Sequence, residues 1–590
     1  MCSPFHAQFW AHSLRLARHD GVEAISRSIG NARVDLNPHQ VDAALFALRS
    51  PYSKGVLLAD EVGLGKTIEA SLILAQKWAE RRRRILLIVP ATLRKQWQSE
   101  LEEKFFLPSL ILEARTANSL VKQGLTNPFL ADDRVIISSY QFVFAKRALV
   151  REVDWDLVVV DEAHRLRSIY KGTKTAEGIV SAIRPARKLL LTATPLQNSL
   201  LELYGLASIL DPELFGSRES FEAEFLDAQD ERARDDVLRE RLRHVCKRTL
   251  RRQVLEYIPF TQRFTHTADF LPSRPEEELY EAVSDYLQRE VLVALPNARR
   301  KLMTLILRKL LASSSAAIAA TLEKFVARLS APRQEKTPSL VEALVQDFEA
   351  LAEVDEEWAD DETAADDRGP NDLGPAARGE LADLQRFVDL ARSIKLDAKA
   401  AQLVEALPRA FELAQAKGAA RKAVLFTESV KTQEYLFKLL TESGYAGELV
   451  LMNGTNGDET SQRLYAEWKA RHEHHWSDVS SGSRTADMKA AIVEAFRDHG
   501  TILLATESAA EGVNLQFCSI VINYDLPWNP QRIEQRIGRC HRYGQKTDVL
   551  VVNFLNRKNE ADQRVFELLD QKFNLFKGVF GASDDVLGAV

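Results

Sequence analysis

The 590-residue sequence predicts an α/β fold with two lobes, each built around a parallel β-sheet, and a helical insertion between them. Three observations support this prediction. Short, continuously apolar runs alternate with amphipathic segments, and the pattern occurs in two separate stretches of the chain. A strand that is apolar at every position has both faces buried, which is typical of parallel sheets covered by helices. The length also exceeds what one hydrophobic core usually supports.

The first lobe is predicted over residues 36–215 and the second over residues 395–560. The apolar runs in these two stretches predict buried strands, and the segments between them have helical spacing. In the first lobe the runs are Gly55–Ala59, Ile85–Val89, Val135–Ile137, Leu157–Val160 and Leu189–Leu191. In the second lobe they are Ala423–Phe426, Ile502–Leu504, Ile520–Ile522 and Val549–Val552.

Helices are predicted outside the two lobes. Residues 1–35 are expected to form an N-terminal helical segment. Residues 561–590 are expected to form a C-terminal one, whose apolar last residues indicate a helix that is cut short. Residues 216–394 are predicted to be a helical insertion, because apolar side chains recur there at helical spacing. These side chains are Leu302, Leu305, Ile306 and Leu310.

An acidic stretch lies near residues 351–380, within the insertion. It carries eleven acidic residues and two arginines, a composition typical of a solvated, mobile linker. An autoinhibitory or DNA-mimicking segment is the alternative. The net charge of −6 argues against a nucleic-acid partner at first. Because the acidic residues are concentrated in this stretch, the rest of the chain can still carry a basic groove.

Composition excludes several classes of protein. Hydrophobic content of 45% and charged content of 27% match an ordinary globular protein. No apolar run is long enough to cross a bilayer, and the N-terminus lacks the pattern of a secretory signal. The four cysteines form no C-x-x-C pair, which argues against a zinc knuckle and a disulfide framework. A cytoplasmic protein without a membrane partner is therefore expected.

The segment Asp60–Thr67 has the pattern of a phosphate-binding loop, because it follows a predicted strand and precedes a helical segment. Gly63 and Gly65 allow backbone N–H groups to turn toward an anion. Lys66 would reach the β- and γ-phosphates of ATP, and Thr67 would hold Mg²⁺. The general pattern begins with glycine, whereas an aspartate stands first here. A tight turn between strand and helix is the structural alternative.

Two acidic residues, Asp161 and Glu162, follow the predicted strand Leu157–Val160 and begin an Asp-Glu-Ala-His (DEAH) box. The carboxyl end of a parallel strand is where such sheets bind ligands. Asp161 can hold Mg²⁺ through its water shell, and Glu162 can orient or deprotonate the attacking water. Taken alone, an acidic pair after a strand is more often a solvated loop or a helix cap. The phosphate-loop pattern upstream favours the catalytic interpretation.

Two further segments fit an ATP site. The hydroxyls of Thr192–Thr194 end a predicted strand and could sense the γ-phosphate, although a helix cap before Pro195 is equally good chemistry. Gln40 precedes an amphipathic segment, and its amide offers one donor and one acceptor for an adenine edge.

The segment Gln535–Arg542 presents arginines at the spacing of one helix face, Arg539 and Arg542 being three residues apart. Guanidinium groups stabilise charge on a transferring phosphoryl group, and such an arginine contributes about 10³–10⁵ in rate. A charged, solvated helix face is the alternative. Gly538 and Gly544 flank the arginines. Because glycine has no side chain, these positions favour a loop whose backbone comes close to a ligand.

Three histidines, His472, His474 and His475, suggest a metal site but do not fit one. An H-E-x-x-H motif would need a second histidine where Trp476 stands. They are predicted to be loop residues.

These blocks, in this order, resemble the Snf2 family of superfamily 2 helicase-like ATPases. The phosphate loop with aspartate in its first position is that family's own form. The resemblance spans about residues 36–250 and 395–560, with a weaker similarity in the helical insertion. The segments that carry it are Leu58–Thr67, Thr192–Asn198, Leu201–Leu203 and Gln535–Gln545.

Within the family, the second lobe is similar to the bacterial branch that includes the RNA-polymerase-associated ATPase. This similarity lies in Ala505–Glu507, Glu511, Gly512 and Asn514, and in Asp525–Pro530. The chain departs from the family at Ala509 and Ala510, where Gly-Gly is often found.

The resemblance implies two RecA-like lobes that clasp ATP and Mg²⁺ between them, with Gln535, Arg539 and Arg542 reaching the phosphates. It adds Glu61, Leu64 and Gly512 to the cofactor-binding residues. It further implies translocation along nucleic acid, usually duplex DNA, without strand separation. The candidate nucleic-acid contacts are Thr92, Gln96, Ser139, Tyr140, Thr427, Asn453, Gly454 and Thr506, each of which is equally typical of a cap or turn.

The sequence therefore predicts a Mg²⁺- and ATP-dependent translocase on double-stranded DNA, located with the nucleoid in a bacterial cytoplasm. Two alternatives remain open. One is an ATPase directed to RNA or to RNA polymerase. The other is a nucleotide-gated binding module of a bacterial defence complex.

Overall fold

The computed structural model describes most of the chain. The described residues are 32–34, 36–50, 54–131, 133–196, 199–227, 230–257, 260–289, 292, 294, 300–330, 375–480, 484–506, 512–527, 530–542 and 544–556. The chain divides into two compact units, Met1–Tyr257 and Ile258–Val590.

The first unit is built on a seven-stranded sheet with the order β3-β4-β2-β5-β6-β1-β7. Every neighbouring pair in this sheet is parallel. The strands are β1 (Gly55–Leu58), β2 (Ile85–Val89), β3 (Ser109–Ile111), β4 (Val135–Ser139), β5 (Leu157–Asp161), β6 (Lys188–Leu191) and β7 (Cys246–Lys247).

Helices cover both faces of this sheet. The α-helices are α1 (Pro38–Arg49), α2 (Lys66–Ala79), α3 (Arg94–Ser99), α4 (Ala114–Lys122), α5 (Tyr140–Ala145), α6 (Arg147–Arg151), α7 (Lys174–Ile183), α8 (Leu200–Leu210), α9 (Arg218–Phe221) and α10 (Glu231–Leu242). Short 3₁₀ or π turns are Ala91–Leu93, Glu100–Lys104, Pro128–Leu130, Ala163–Lys171, Glu222–Leu226 and Arg251–Gln253.

Successive residues of β1 show why the apolar runs are continuous. Leu57 belongs to the hydrophobic core on one face of the sheet, and Val56 and Leu58 belong to the core on the other. Side chains alternate between the two faces of a strand, so a sheet covered on both faces needs an apolar residue at every position.

The second unit contains a six-stranded sheet with the order β10-β11-β9-β12-β13-β8. Its neighbouring pairs are also all parallel. The strands are β8 (Arg263–Phe270), β9 (Ala423–Thr427), β10 (Leu449–Met452), β11 (Ile502–Thr506), β12 (Ile520–Asn523) and β13 (Val549–Asn556).

The second unit also contains the helical insertion. The α-helices of the whole second unit are α11 (Arg274–Gln288), α12 (Arg300–Ser313), α13 (Ser315–Ser330), α14 (Pro375–Ser393), α15 (Ala398–Ala416), α16 (Val430–Leu440), α17 (Glu459–Arg471), α18 (Trp476–Val479), α19 (Arg484–Asp498) and α20 (Pro530–Cys540). A π turn at Thr441–Tyr445 and a 3₁₀ turn at Glu473–His475 complete it. The helices α11–α14 share a separate hydrophobic core around Val283, Met303, Phe325 and Phe387.

The predicted fold class, two α/β lobes with parallel sheets, is confirmed, and each of the nine predicted strands is present. The predicted segments 1–35 and 561–590 and the acidic stretch lie largely or wholly outside the described residues. Among the described residues, no helix is both long enough and apolar enough to span a membrane.

The structure differs from the prediction at the lobe boundaries. The range 216–394 was predicted to be a helical insertion, yet it contains β7 of the first sheet and β8 of the second. β8 lies at the edge of its sheet and alternates between half-buried and exposed residues over most of its length, so it has no continuous apolar run. β7 is only two residues long. β3 and β10 were also missed, although β10 is itself an apolar run.

Candidate functional site

The loop between β1 and α2 has a backbone that requires glycine. Gly63 and Gly65 have φ angles of 89° and 95°, in the left-handed region that side chains disfavour. A Cβ atom on Gly65 would also lie 2.5 Å from Nε2 of Gln40. The loop is therefore held in an open turn that only glycine fits, immediately before the N-terminus of α2. The N–H groups of a helix N-terminus are well placed to bind an anion.

Helix α1 packs its first residues against this loop. Nε2 of Gln40 and Nε2 of His39 donate to the Leu64 carbonyl at 3.0 and 2.9 Å. The other side of the Gln40 amide accepts from the Asn37 N–H at 3.1 Å. Gln40 thus fixes the loop, and its predicted contact with adenine stays a prediction.

Lys66 is the first residue of α2, and Thr67 is the second. The Lys66 ammonium group donates to the Asp60 carbonyl at 2.8 Å. Loss of hydration lowers the pKa of Lys66, while the negative charges of Glu162, Glu69, Asp60 and Asp161 oppose this change. The ammonium group therefore lies within electrostatic reach of the DEAH carboxylates, so the two motifs share one site.

The acidic residues that begin the loop have an anchoring role. Oδ1 of Asp60 accepts from the Thr249 N–H at 2.7 Å, and Oε2 of Glu61 accepts from the Arg251 N–H at 2.8 Å. The Arg251 guanidinium group donates to the Val62 carbonyl. The segment that follows β7 therefore holds the loop from a sequence distance of about 190 residues.

Asp161 ends β5, and both of its carboxylate oxygens accept hydrogen bonds. Nε1 of Trp97 donates to Oδ2 at 2.8 Å, and the Glu162 N–H donates to Oδ1 at 2.9 Å. Removal from water, reinforced by the charge of Glu162, raises the pKa of Asp161 to about 7. A divalent cation would favour the ionised form. The carboxylate of Asp161 and the hydroxyl of Thr67 are the oxygen donors that Mg²⁺ prefers.

Glu162 has a strained backbone, with φ 53° and ψ 47°. Its Oε2 lies 3.2 Å from Nδ1 of His164, which also lies 3.2 Å from the hydroxyl of Thr192. The Thr192 hydroxyl in turn accepts from the Thr194 N–H at 3.1 Å. Polar contacts thus connect the DEAH box with the predicted Thr192–Thr194 segment.

In the second unit, helix α20 presents its residues on two faces. Ile533, Ile537 and Cys540 are fully buried on one face. Gln535 and Arg539, which are half-buried, lie four residues apart on another face. Arg542 is also half-buried and lies two residues after the helix ends at Cys540.

Comparison with family models identifies both halves of the chain. Residues 39–324 match the SNF2-related domain, and residues 399–544 match the Helicase conserved C-terminal domain. The chain is 30% identical over 555 residues to the uncharacterized ATP-dependent helicase YqhH of Bacillus subtilis (strain 168), covering 93% of this chain and 80% of that protein.

The chain belongs to the Snf2 family of helicase-like ATPases.

A second relative of this Snf2-family ATPase is the RNA polymerase-associated protein RapA of Photobacterium profundum. The identity is 28% over 540 residues, which cover 89% of this chain and 48% of RapA. The chain thus spans about half the length of that relative. Among solved structures, it is similar to the Sulfolobus solfataricus SWI2/SNF2 ATPase core in complex with dsDNA, at 18% identity and a TM-score of 0.37, covering 93% of this chain and 94% of that chain.

The candidate nucleic-acid residues of this Snf2-family ATPase lie mostly at strand ends. Thr427, Asn453 and Thr506 are buried at or just after the carboxyl ends of β9, β10 and β11, which are neighbours in one sheet. Gly454 follows Asn453. Gly512, which is instead one of the predicted cofactor-binding residues, has a φ angle of 77°. The binding roles of these residues stay predictions.

In the first unit, Gln96 is exposed on α3, and Thr92 lies in the turn before that helix. The Ser139 hydroxyl accepts from the Phe142 N–H and caps α5. The buried Tyr140 hydroxyl donates to the carbonyls of Asp161 and Glu162. The structure thus gives Ser139 and Tyr140 structural contacts, and their role in nucleic-acid binding also stays a prediction.

Sequence reasoning missed three residues that shape the sites. Trp97 donates to Asp161, as described above. Arg536 is 2% exposed and donates to the Asp525 carbonyl at 2.7 Å, although it lies within the predicted arginine segment. His541 donates to the Thr261 carbonyl at 2.8 Å. For Arg536 a signal existed, because helical spacing places it on the apolar face of α20 with Ile533 and Ile537.

Proposed function

We propose that this Snf2-family ATPase is a translocase that hydrolyses ATP to move along double-stranded DNA. The main observation in support of ATP hydrolysis is that Lys66, Asp161 and Glu162 are grouped around one loop in the first unit. This loop contains two glycines with positive φ angles. Asp60, Glu61, Gly63, Leu64 and Gly65 form the loop.

Each side chain of this group has a role in the proposed reaction. Lys66 and the N–H groups that begin α2 bind the phosphates, because they present positive charge at a helix N-terminus. Thr67 and Asp161 would hold Mg²⁺, which when bound offsets negative charge on the phosphates. Glu162 orients the attacking water and accepts its proton. His164, between Glu162 and Thr192, orients the Glu162 carboxylate.

Gln535, Arg539 and Arg542 of the second unit are proposed to stabilise the charge that develops on the γ-phosphate. The position of Gln535 and Arg539 on one side of α20 supports this role, and so does the resemblance to Snf2 ATPases. Replacing Arg539 by alanine should lower kcat by about 10³-fold or more while ATP still binds. An unchanged kcat would overturn this assignment.

The proposal that the enzyme moves along duplex DNA rests on the resemblance to the Snf2 family. The candidate contacts at the ends of β9, β10 and β11 are short polar side chains, and hydroxyl and amide groups can contact phosphate oxygens. This is compatible with a protein that follows the phosphate backbone and ignores sequence. A bacterial cytoplasm, close to the nucleoid, is the location we propose, because the two relatives named above are bacterial and duplex DNA lies there.

The second candidate function is an ATPase that acts on RNA polymerase. The observation that favours it is the 28% identity to the RNA polymerase-associated protein RapA. On this alternative, polymerase should stimulate ATP hydrolysis more than free DNA does.

The experiment that separates these functions is a measurement of ATP hydrolysis with different activators. Steady-state rates would be recorded alone and with duplex DNA, single-stranded DNA, RNA and RNA polymerase. The proposal predicts that duplex DNA gives the largest stimulation and that the effect falls with added salt. Equal rates with and without duplex DNA would contradict it.

A further inference from the structure

We propose that His39, Asp60 and Glu69 form a binding site for a divalent transition-metal ion, preferably Zn²⁺, beside the phosphate loop. These residues come from α1, the loop and α2. Their ligand atoms all lie within 4.8 Å of one another. The site is separate from the Thr67 and Asp161 oxygens assigned to Mg²⁺, and it does not depend on the proposed DNA substrate.

The unpaired polar atoms of this cluster support the proposal. His39, Asp60 and Glu69 are 3%, 0% and 0% exposed. Within the part of the chain that the structure describes, Nδ1 of His39, Oδ2 of Asp60 and both carboxylate oxygens of Glu69 have no hydrogen-bond partner at bonding distance, and the Glu69 carboxyl group interacts with that of Asp60. Buried polar groups are almost always paired, because an unpaired one loses its hydration without compensation. Four such atoms in one small space therefore require an explanation.

The remaining atoms of two of these residues are already held in the orientation that a metal site needs. Nε2 of His39 faces the Leu64 carbonyl, which can only accept, so Nε2 carries a proton and, in the neutral imidazole, Nδ1 keeps its lone pair. Oδ1 of Asp60 is bound to the Thr249 N–H, which leaves Oδ2 available. A metal-binding histidine usually donates its other ring N–H to a carbonyl or carboxylate in this way.

The chemistry of the donors selects the type of ion. One imidazole nitrogen and two carboxylates suit Zn²⁺ or Mn²⁺, whereas Mg²⁺ prefers oxygen donors alone and keeps several waters. With Glu69 bidentate, the cluster offers four donor atoms, the usual number for structural zinc. Zinc holds its ligands at about 2.0–2.2 Å, so the side chains would move closer together on binding.

The nearby charges also favour a cation. Two carboxylates face each other here; the charge of Lys66 acts on both of them, and the charge of Lys247 acts on Glu69. If Lys66 turns to bind phosphate, the pair loses part of this compensation. A metal ion would hold α1, the loop and α2 together in either state, and so would keep Gln40 and Leu64 in place.

The test is a measurement of zinc content and of zinc-induced stabilisation in the full chain without nucleotide or Mg²⁺. The protein would be stripped with a chelator, reloaded with ZnCl₂ and analysed by inductively coupled plasma mass spectrometry. We expect one zinc ion per chain and a higher midpoint of thermal unfolding with zinc, because a ligand that binds only the folded state stabilises it.

Variants locate the ion. Glu69→Gln should weaken zinc binding by more than the roughly 10–100-fold that losing an outer-shell partner costs. Glu80→Gln is the matched control, since it makes the same change at the exposed end of the same helix, and it should bind zinc as the wild type does. His39→Gln is a second variant, which can still donate to the Leu64 carbonyl.

Three results would overturn the proposal. The first is the absence of stoichiometric zinc in the wild-type chain, which would mean that Asp60 and Glu69 share a proton instead. The second is equal zinc content in the wild type, Glu69→Gln and His39→Gln. The third is a sulfur-to-metal charge-transfer band in a Co²⁺-substituted sample, which would place the ion on a cysteine.

Discussion

Glu162 shows at the scale of one residue how the site is built. A glutamate with φ 53° occupies the left-handed region, at a cost of about 1–3 kcal/mol. The Tyr140 hydroxyl contacts the carbonyls on both sides of the Asp161–Glu162 bond and helps to hold this conformation. In this conformation Oε2 of Glu162 lies 3.2 Å from Nδ1 of His164. Such local strain is characteristic of functional positions.

Glu162→Gln tests the role of this carboxylate. The amide keeps the shape of the side chain but cannot accept a proton, so kcat for ATP hydrolysis should fall by about 10²–10⁴-fold. The Kd for ATP, measured by calorimetry, should change little. Glu103→Gln, at an exposed position of the same unit, should leave both values unchanged. A Glu162→Gln variant with the wild-type kcat would show that another group is the base.

Gly65→Ala tests the shape of the loop. The new methyl group would meet Gln40 at 2.5 Å and would impose strain at φ 95°, so both stability and ATP affinity should fall. Gly124→Ala is a matched control, because its φ angle is 96° but a Cβ there meets nothing within 4 Å. Both variants should lose about 1–2 kcal/mol of unfolding free energy from the left-handed backbone. Only Gly65→Ala should lose ATP binding. Equal ATP affinity in the two variants would contradict this account.

At the scale of elements, one buried carboxylate joins the helical insertion to the second sheet. Asp525, just after β12, accepts from the Lys399 ammonium of α15 and the Ser313 hydroxyl of α12, both at 2.8 Å. It also accepts from the Thr427 hydroxyl of β9 at 2.6 Å. Burial opposes ionisation, but the charge of Lys399 and the hydrogen bonds from Lys399 and Thr427 lower the pKa of Asp525. The insertion is therefore fastened to the strand ends where nucleic-acid contacts are predicted.

Asp525→Asn should strongly destabilise the second unit. It leaves Lys399, whose side chain is 7% exposed, as a buried charge without its partner, and breaking such a pair costs about 3–5 kcal/mol. Urea unfolding monitored by circular dichroism would measure the loss. Asp498→Asn removes an exposed pair with Arg497 and should cost under about 1 kcal/mol. Similar losses in the two variants would show that Asp525 is not a structural junction.

The same elements show how far the sequence predicts the molecule. Buried strands and the loop glycines were predictable, because a continuous apolar run and a strand–glycine–helix order are local patterns. β8 was not predictable, because an edge strand with one solvated face lacks that run. The contacts of Thr249 and Arg251 with the loop were not predictable either, since they join residues about 190 positions apart through tertiary packing.

At the scale of the whole molecule, stability depends on pH through buried acids such as Asp397. Burial, opposed by hydrogen bonds from Ser315, raises the pKa of Asp397 from 3.8 to about 6. Between these pH values the folded state binds more protons than the unfolded state. The contribution of Asp397 to stability therefore falls as pH rises from about 4 to 6 and stays low above that range.

Asp397→Asn should remove this dependence. The unfolding free energy of the variant minus that of the wild type should increase by about 2–3 kcal/mol between pH 4 and pH 8, as the pKa shift implies. Urea titrations across this range would measure the difference. Asp389→Asn, at an exposed position of α14, should show a flat difference. A flat difference for Asp397→Asn would mean that Asp397 ionises in the folded protein as it does in water.

The most direct test of the central claim is ATP-driven displacement of a third strand from duplex DNA. The substrate would carry the triplex at one end of duplex tracks of graded length, and release would be followed over time. The account predicts release that requires ATP, begins later on longer tracks and is absent with Glu162→Gln. ATP hydrolysis by the wild type without release, or release with a delay that is independent of track length, would contradict it.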